Sequence, residues 1–167
     1  MTSVTNQTPA VAGPALHPDL EPLAVLLGEW RGQGRGGFPT VDDFDYREET
    51  VFGHVGKPFL RYSQRTWRLP GGEVSHGETG FFRAQPDGRV ELVIAHPSGH
   101  AEVGEGTVYD GHIEITSATI VRTESAKEVT ELRRVFDIAG DTLHYRTAMA
   151  AVGQPLAFHL EAELHRV

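Results

Sequence analysis

Apolar and polar residues alternate along most of the chain, and clusters of turn-forming residues interrupt this alternation at short, even intervals. Alternation with a period of two is typical of β-strands that bury one face. We therefore predict a first strand that begins at Gly28, followed by strands over residues 44–55, 59–69, 74–84, 90–96, 101–109, 112–121, 129–138, 143–152 and 156–167.

The segments between the predicted strands are short and carry turn chemistry rather than helical patterns. Asp110-Gly111, for example, lies between two alternating segments, where this pair favours a type I′ hairpin turn. The pattern predicts an all-β fold, an antiparallel up-and-down β-barrel of roughly ten strands, similar in architecture to lipocalins and fatty-acid-binding proteins. A barrel of this strand number encloses space for one small ligand.

One short helix is predicted ahead of the strands. Leucines recur at helical spacing between residues 20 and 27, Asp19 stands where a capping side chain is favoured, and Gly28 follows as a residue that commonly ends helices. We therefore expect a disordered N-terminal tail over residues 1–17, rich in Thr, Pro, Ala and Gly, and a β-barrel domain over residues 18–167.

Composition narrows the classes of function. The formal net charge of −8 argues against binding to nucleic acid or to an anionic membrane surface, because both need clustered Lys and Arg. The chain has no cysteine, which excludes disulfides, Cys-ligated iron–sulfur clusters and covalently attached c-type haem. It carries neither a signal-peptide pattern nor an apolar run long enough to cross a bilayer, so we expect a soluble, cytoplasmic protein.

A glycine-rich motif opens the first strand, where Gly28, Trp30, Gly32 and Gly34 alternate with other residues and Phe38-Pro39-Thr40 follows. Glycines at this spacing let the backbone bend sharply or approach another group closely. A dinucleotide-binding loop is excluded because no strand precedes the motif and no helix follows it. On spacing alone, a ligand-binding element and a structural corner of the barrel are equally compatible with the motif.

The same motif resembles the signature of the nitrobindins, small haem-binding β-barrel proteins also described as peroxynitrite isomerases. The family pattern is Gly-x-Trp-x-Gly-x-Gly followed by an aromatic residue, Pro and Thr. One departure is Phe38, where the family has Tyr, and the missing hydroxyl would alter the polarity of the pocket without abolishing the barrel. The resemblance covers residues 20–167, with further matches at 54–60 (HVGKPFL), 78–80 (ETG), 96–99 (HPSG), 126–130 (AKEVT), 151–156 (AVGQPL) and 159–160 (HL).

The resemblance implies one haem b per chain, with His159 as the axial ligand of the iron. It also implies that Thr40 and Lys127 lie near the haem, where Lys127 would neutralise a propionate. The implied activity is isomerisation of peroxynitrite to nitrate at ferric haem, together with binding of NO. The cofactor would carry the bond chemistry, and the barrel would confine the reacting fragments. The expected partners are these small molecules, and the oligomeric state, a homodimer included, stays open.

The alternation of the last strand does not select His159 by itself. Phe158 and Leu160 share one face, whereas His159 lies with Glu161 on the other face, which periodicity assigns to solvent. A β-bulge in this strand, or a haem seated at the rim of the barrel, would reconcile the two interpretations.

Other interpretations stay open beside this one. A non-catalytic barrel would carry or sense NO through the same haem, or would carry a fatty-acid-like ligand held by a buried arginine or tyrosine cluster. A purely structural barrel with a filled core is a third class.

Several residues also have ordinary structural interpretations when taken alone: Lys127 at the surface, Thr40 at the start of a strand, His54 and His96 in hydrogen bonds at the barrel ends, Glu48-Glu49 and Glu161/Glu163 on solvated strand faces, and Arg166 stacked on Trp30.

Overall fold

A computed structural model of the chain describes residues 13–167. Ten antiparallel strands pair with their neighbours in sequence, and the first also pairs with the last, so the sheet closes on itself. This closure confirms the predicted all-β up-and-down barrel. The strands are β1 (Gly28–Phe38), β2 (Val41–Gly53), β3 (Leu60–Arg68), β4 (Val74–Ala84), β5 (Arg89–His96), β6 (His100–Tyr109), β7 (His112–Arg122), β8 (Val129–Ala139), β9 (Thr142–Ala151) and β10 (Gln154–Arg166).

The predicted type I′ turn between β6 and β7 is confirmed. Tyr109 pairs with His112 across the hairpin, and the two residues between them, Asp110 and Gly111, have φ angles of 49° and 77°. Positive φ at both central residues is what a type I′ turn requires, and it matches the right-handed twist of the flanking strands.

The N-terminal helix is a 3₁₀-helix over Pro18–Leu26, and its predicted cap is wrong. His17 is the N-cap residue, and its Nδ1 accepts a hydrogen bond of 3.3 Å from the backbone N–H of Asp19. Pro22 lies inside the segment. Since proline lacks an N–H and clashes with the carbonyl four residues earlier in an α-helix, it disfavours that conformation here.

The helix and the start of β1 close one end of the barrel. Leu20, Leu23 and Leu26 are fully buried, and Nε1 of Trp30 donates a hydrogen bond of 2.7 Å to the Leu26 carbonyl. The guanidinium carbon of Arg166 lies 4.1 Å from the centroid of the Trp30 ring, which confirms the predicted stacking. Side chains therefore fill this end, and any ligand space lies elsewhere in the barrel.

Residues 1–12 lie outside the described residues, so the predicted disordered tail over residues 1–17 stays a prediction. Of the residues just before the helix, Leu16 packs partly buried against the core and His17 caps the helix. Contacts with the barrel therefore begin before the predicted domain boundary at residue 18. Within the described part of the chain, none of the helical structure has the length and apolar character needed to span a membrane.

Candidate functional site

A cavity of about 290 Å³ lies inside the barrel at the end opposite the helix. Its position follows from the pairing of β1 with β10: Trp30 faces Arg166 at the closed end, whereas Gly36 faces the cavity residue Leu160. Apolar side chains form much of the cavity wall, namely Val41, Phe44, Ile120, Val129, Leu132, Met149 and Leu160.

Two glycines of the β1 motif shape this cavity. A Cβ atom on Gly34 would overlap the ring of Tyr46, and a Cβ atom on Gly36 would overlap the ring of Phe44. Both rings line the cavity. The glycines are therefore required where these aromatic rings cross β1, and the motif contributes to a ligand-sized space as well as to the corner of the barrel.

His159 lies on the cavity wall because β10 bulges next to it. The register of β10 against β9 shifts between Phe158 and Leu160, which breaks the strict alternation of the strand. The imidazole of His159 lines the cavity, whereas the side chain of Phe158 is 44% exposed. Periodicity alone, which assigns His159 to solvent, is therefore wrong at this position, and a bulge is the physical reason.

The hydrogen bonding of His159 leaves one ring nitrogen free to coordinate. Its Nδ1 lies 3.2 Å from the carbonyl oxygen of Gly37. Because a carbonyl oxygen only accepts hydrogen bonds, Nδ1 carries the proton and Nε2 keeps its lone pair. Burial lowers the pKa of His159 below its ordinary value, although the bond to Gly37 opposes this shift. A neutral imidazole held by a carbonyl in this way is the form that ligates haem iron.

Thr40 and Lys127 border the cavity rather than line it. Thr40 is exposed in the turn between β1 and β2, directly before the wall residue Val41. Lys127 is exposed between β7 and β8, and its backbone oxygen accepts a hydrogen bond of 2.7 Å from Nε2 of the wall residue His100. Their predicted contacts with a haem stay predictions.

The wall across the barrel from His159 carries two further histidines, which sequence reasoning did not bring together. His96 on β5 and His76 on the neighbouring β4 lie 3.3 Å apart, from Nδ1 to Nε2. Oε1 of Glu78 lies 3.6 Å from Nδ1 of His96 and 3.7 Å from Nε2 of His76. These three side chains offer ligand atoms within 4.8 Å of one another, a donor set that transition metals accept.

Arg134 already binds the carboxylate of this group. Its Nη1 and Nη2 donate to the two oxygens of Glu78 at 3.1 and 3.0 Å, and Nη2 also donates to Oε1 of Glu102 at 2.6 Å. All three side chains are buried. Burial acts to raise the pKa of Glu78, but the Arg134 guanidinium, together with His76 and His96, outweighs it and holds that pKa well below its ordinary range. A metal ion at the histidines would therefore compete with Arg134 for Glu78.

Glu48, predicted together with its neighbour to lie on a solvated strand face, is buried instead. Only 1% of it is exposed, and its carboxylate accepts hydrogen bonds from Thr50 at 2.6 Å and from Tyr145 at 2.5 Å. The alternation of residues along β2 indicates that Glu48 is buried, because Glu48 shares one strand face with the buried rings of Tyr46 and Phe52.

Comparisons with known proteins agree with this architecture. The family model of the THAP4-like haem-binding β-barrel domain matches residues 19–166. The chain is 49% identical to a peroxynitrite isomerase of Nocardia farcinica, with 99% of each chain covered. It is 55% identical to peroxynitrite isomerase 1 of Mycolicibacterium paratuberculosis, over 90% of this chain and 96% of that protein.

A solved structure shares the fold. The crystal structure of Rv2717c from M. tuberculosis matches with a TM-score of 0.86 at 48% sequence identity, over 92% of this chain and 99% of that chain. The family model and the curated relatives both cover nearly all of the barrel. The chain therefore belongs to the nitrobindins, the family of THAP4-like haem-binding β-barrel proteins.

Proposed function

We propose that the chain binds one haem b in this cavity through Nε2 of His159 and isomerises peroxynitrite to nitrate. The observation that carries the proposal is the neutral His159 imidazole, which lines the cavity with its Nδ1 fixed by Gly37. The apolar wall suits a porphyrin face, and the rim positions of Thr40 and Lys127 suit its anionic propionates. The names of relatives around 50% identical support the reaction.

The residues of the chain would hold and shield this chemistry. When bound, haem supplies the iron at which the O–O bond of peroxynitrite rearranges. Gly37 fixes the plane and the tautomer of the His159 ring, and the apolar wall keeps water from the reacting fragments. Because the bond between His76 and His96 needs one donor, one of these two nitrogens carries a proton at the opposite wall.

A fatty-acid carrier is the less well supported alternative. Such a barrel holds the ligand carboxylate with a buried cation, and Arg134 is the buried arginine that lines this cavity. Its charge is already engaged by the carboxylates of Glu78 and Glu102. A fatty acid would bring a third carboxylate to one guanidinium, which is unfavourable in a buried site. Carriage of NO would use the same haem, and it stays a prediction.

Stopped-flow decay of peroxynitrite, with nitrate and nitrite measured as products, tests the proposal. The haemin-loaded wild type should accelerate the decay and yield nitrate, and the protein without haemin should not. His159→Ala should lose the acceleration. The matched control is His144→Ala, since His144 is 58% exposed and pairs with Glu163 outside the cavity. Equal decay with and without haemin would overturn the proposed activity.

A further inference from the structure

A chain of hydrogen bonds leads from the cavity wall to a buried carboxylate that the proposed reaction does not use. Tyr46 lines the cavity, and its hydroxyl oxygen lies 2.7 Å from that of Tyr145. The Tyr145 hydroxyl donates to Oε2 of Glu48 at 2.5 Å. Since the single hydroxyl proton of Tyr145 is directed to Glu48, the Tyr46 hydroxyl is the donor in the first bond, and it also lies 3.2 Å from the carbonyl oxygen of Glu161. Donation therefore runs inward from the cavity to Glu48.

Glu48 is a buried carboxylate with no cationic partner within residues 13–167. The buried guanidinium of Arg134 is engaged by Glu78 and Glu102 instead. Thr50 and Tyr145 donate hydrogen bonds to the two oxygens of Glu48, which keeps the carboxylate satisfied without neutralising it. A buried carboxylate in this state is a proton acceptor, because taking up a proton removes an uncompensated charge.

Burial raises the pKa of Glu48 to about 7, while hydrogen bonds from Thr50, Tyr145 and Gln64 lower it. The group therefore changes between acid and carboxylate near neutral pH. Charged and titratable groups reach the same interior from the surrounding strands: Tyr46 on β2, Tyr62 on β3, Glu78 on β4, Arg134 on β8 and Tyr145 on β9.

We propose that Tyr145 is a redox-active tyrosine that gives one electron to an oxidant formed when a peroxide reacts with the cofactor in the cavity. This inference rests on the proposed haem site. The O–H bond of Tyr145 breaks, its electron reduces the oxidant, and its proton forms an O–H bond at Oε2 of Glu48. The products on the chain are a neutral tyrosyl radical and a neutral carboxylic acid. Tyr46 stands between the cavity and Tyr145 as the positioning residue.

The balance of charge favours Tyr145 over other buried tyrosines as the electron donor. Loss of an electron without its proton would leave a cationic phenol in a low-dielectric interior, which is costly. When Glu48 accepts the proton, the total charge of Tyr145 and Glu48 changes from −1 to zero. Tyr62 is the natural comparison, because its hydroxyl donates to Glu78 at 3.0 Å. Despite burial, Arg134 together with His76 and His96 holds the pKa of Glu78 well below its ordinary range, so Glu78 is a poor proton acceptor.

Freeze-quenched electron paramagnetic resonance of the haemin-loaded protein after mixing with hydrogen peroxide tests the inference. The wild type should give a tyrosyl radical, which is lost in Tyr145→Phe and retained in the matched control Tyr62→Phe. The wild-type yield should rise as the pH increases through about 7, since Glu48 accepts a proton only when it is ionised. Glu48→Gln keeps the shape of the side chain without its basicity, so it should lose most of the signal at every pH.

Haemin uptake and peroxynitrite decay are measured on the same preparations. A radical of wild-type intensity in Tyr145→Phe, or no radical in a wild type that binds haemin, overturns the inference and leaves the proposed function standing. A wild type that takes up no haemin overturns both. Loss of the radical in Tyr145→Phe counts in favour only when that variant binds haemin as the wild type does, which separates a redox role from a folding defect.

Discussion

The guanidinium of Arg166 covers the indole of Trp30 at the closed end of the barrel, with 4.1 Å between its central carbon and the ring centroid. The same guanidinium donates hydrogen bonds to the carbonyl oxygens of Leu27 and of Val25. Carbonyls at the end of a helix lack partners within the helix, so Arg166 satisfies them while it ties β10 to β1. Closure of the barrel at this end is therefore separate from the cavity at the other.

Arg166→Ala should lower the free energy of unfolding by about 1–3 kcal/mol, because it removes the cation–π contact and the carbonyl hydrogen bonds together. Urea unfolding at neutral pH measures this change. Haemin affinity should stay at the wild-type level, since the cavity lies at the opposite end. The control is Arg146→Ala, whose side chain is 67% exposed and 4.0 Å from Asp137. Equal losses in the two variants would contradict a specific role for Arg166.

Glu48 should make the stability of the barrel depend on pH. Its pKa is about 7 in the folded protein and near 4.5 in an unfolded chain, so unfolding releases a proton between these pH values. The free energy of unfolding should therefore fall as the pH rises from about 4.5 to about 7, by about 3 kcal/mol from this group, and then level off.

Glu48→Gln should remove this part of the pH dependence of the free energy of unfolding. The variant should therefore be more stable than the wild type above pH 7. Urea unfolding of both proteins across this pH range isolates the contribution, because all other groups are shared. Glu78 and Glu102, whose pKa values Arg134 lowers against the effect of burial, contribute stability that is lost at more acidic pH. Parallel curves for wild type and Glu48→Gln would show that Glu48 is not the titrating group.

Val152 occupies a backbone conformation that suits it poorly. It is the first central residue of the hairpin turn between Ala151 and Gln154, with a φ of 47°. Left-handed backbone costs an L-residue about 1–2 kcal/mol, and asparagine tolerates it best among residues other than glycine. Since the side chain is 38% exposed, little packing is lost on replacement.

Val152→Asn should therefore raise the free energy of unfolding by about 1 kcal/mol in urea. Val152→Ala is the control, because alanine keeps most of the cost of the left-handed backbone and should gain little. An equal gain in the free energy of unfolding of both variants would show that removal of the valine side chain, and not the backbone conformation, causes the gain. A lower free energy of unfolding in Val152→Asn would contradict the backbone argument.

The barrel was predictable because its signals are local. Alternation within each strand and turn pairs such as Asp110-Gly111 depend on neighbouring residues, and the structure places strands and turns where these signals predict them. The predicted stacking of Arg166 on Trp30 is also confirmed. The helix type was less predictable, because Pro22 inside the segment disfavours an α-helix despite the leucine spacing.

The site was less predictable because it depends on contacts between distant segments. The bulge beside His159 arises in the pairing of β10 with β9, and the sequence of β10 alone does not contain that register shift. The resemblance to the nitrobindins supplied His159 instead. Glu78 and Arg134 are 56 residues apart and meet only when the barrel closes. Burial of Glu48 was missed because a charged residue on an inner strand face runs against the usual pattern.

The most direct test of haem ligation by His159 is an absorption titration of the apo-protein with haemin, with His159→Ala and the surface control His144→Ala beside the wild type. We expect a saturable one-to-one Soret band for the wild type and for His144→Ala, and its loss or strong weakening in His159→Ala. Equal and weak uptake of haemin by the wild type and His159→Ala would contradict a His159-ligated haem. The barrel would then be assigned to another apolar ligand.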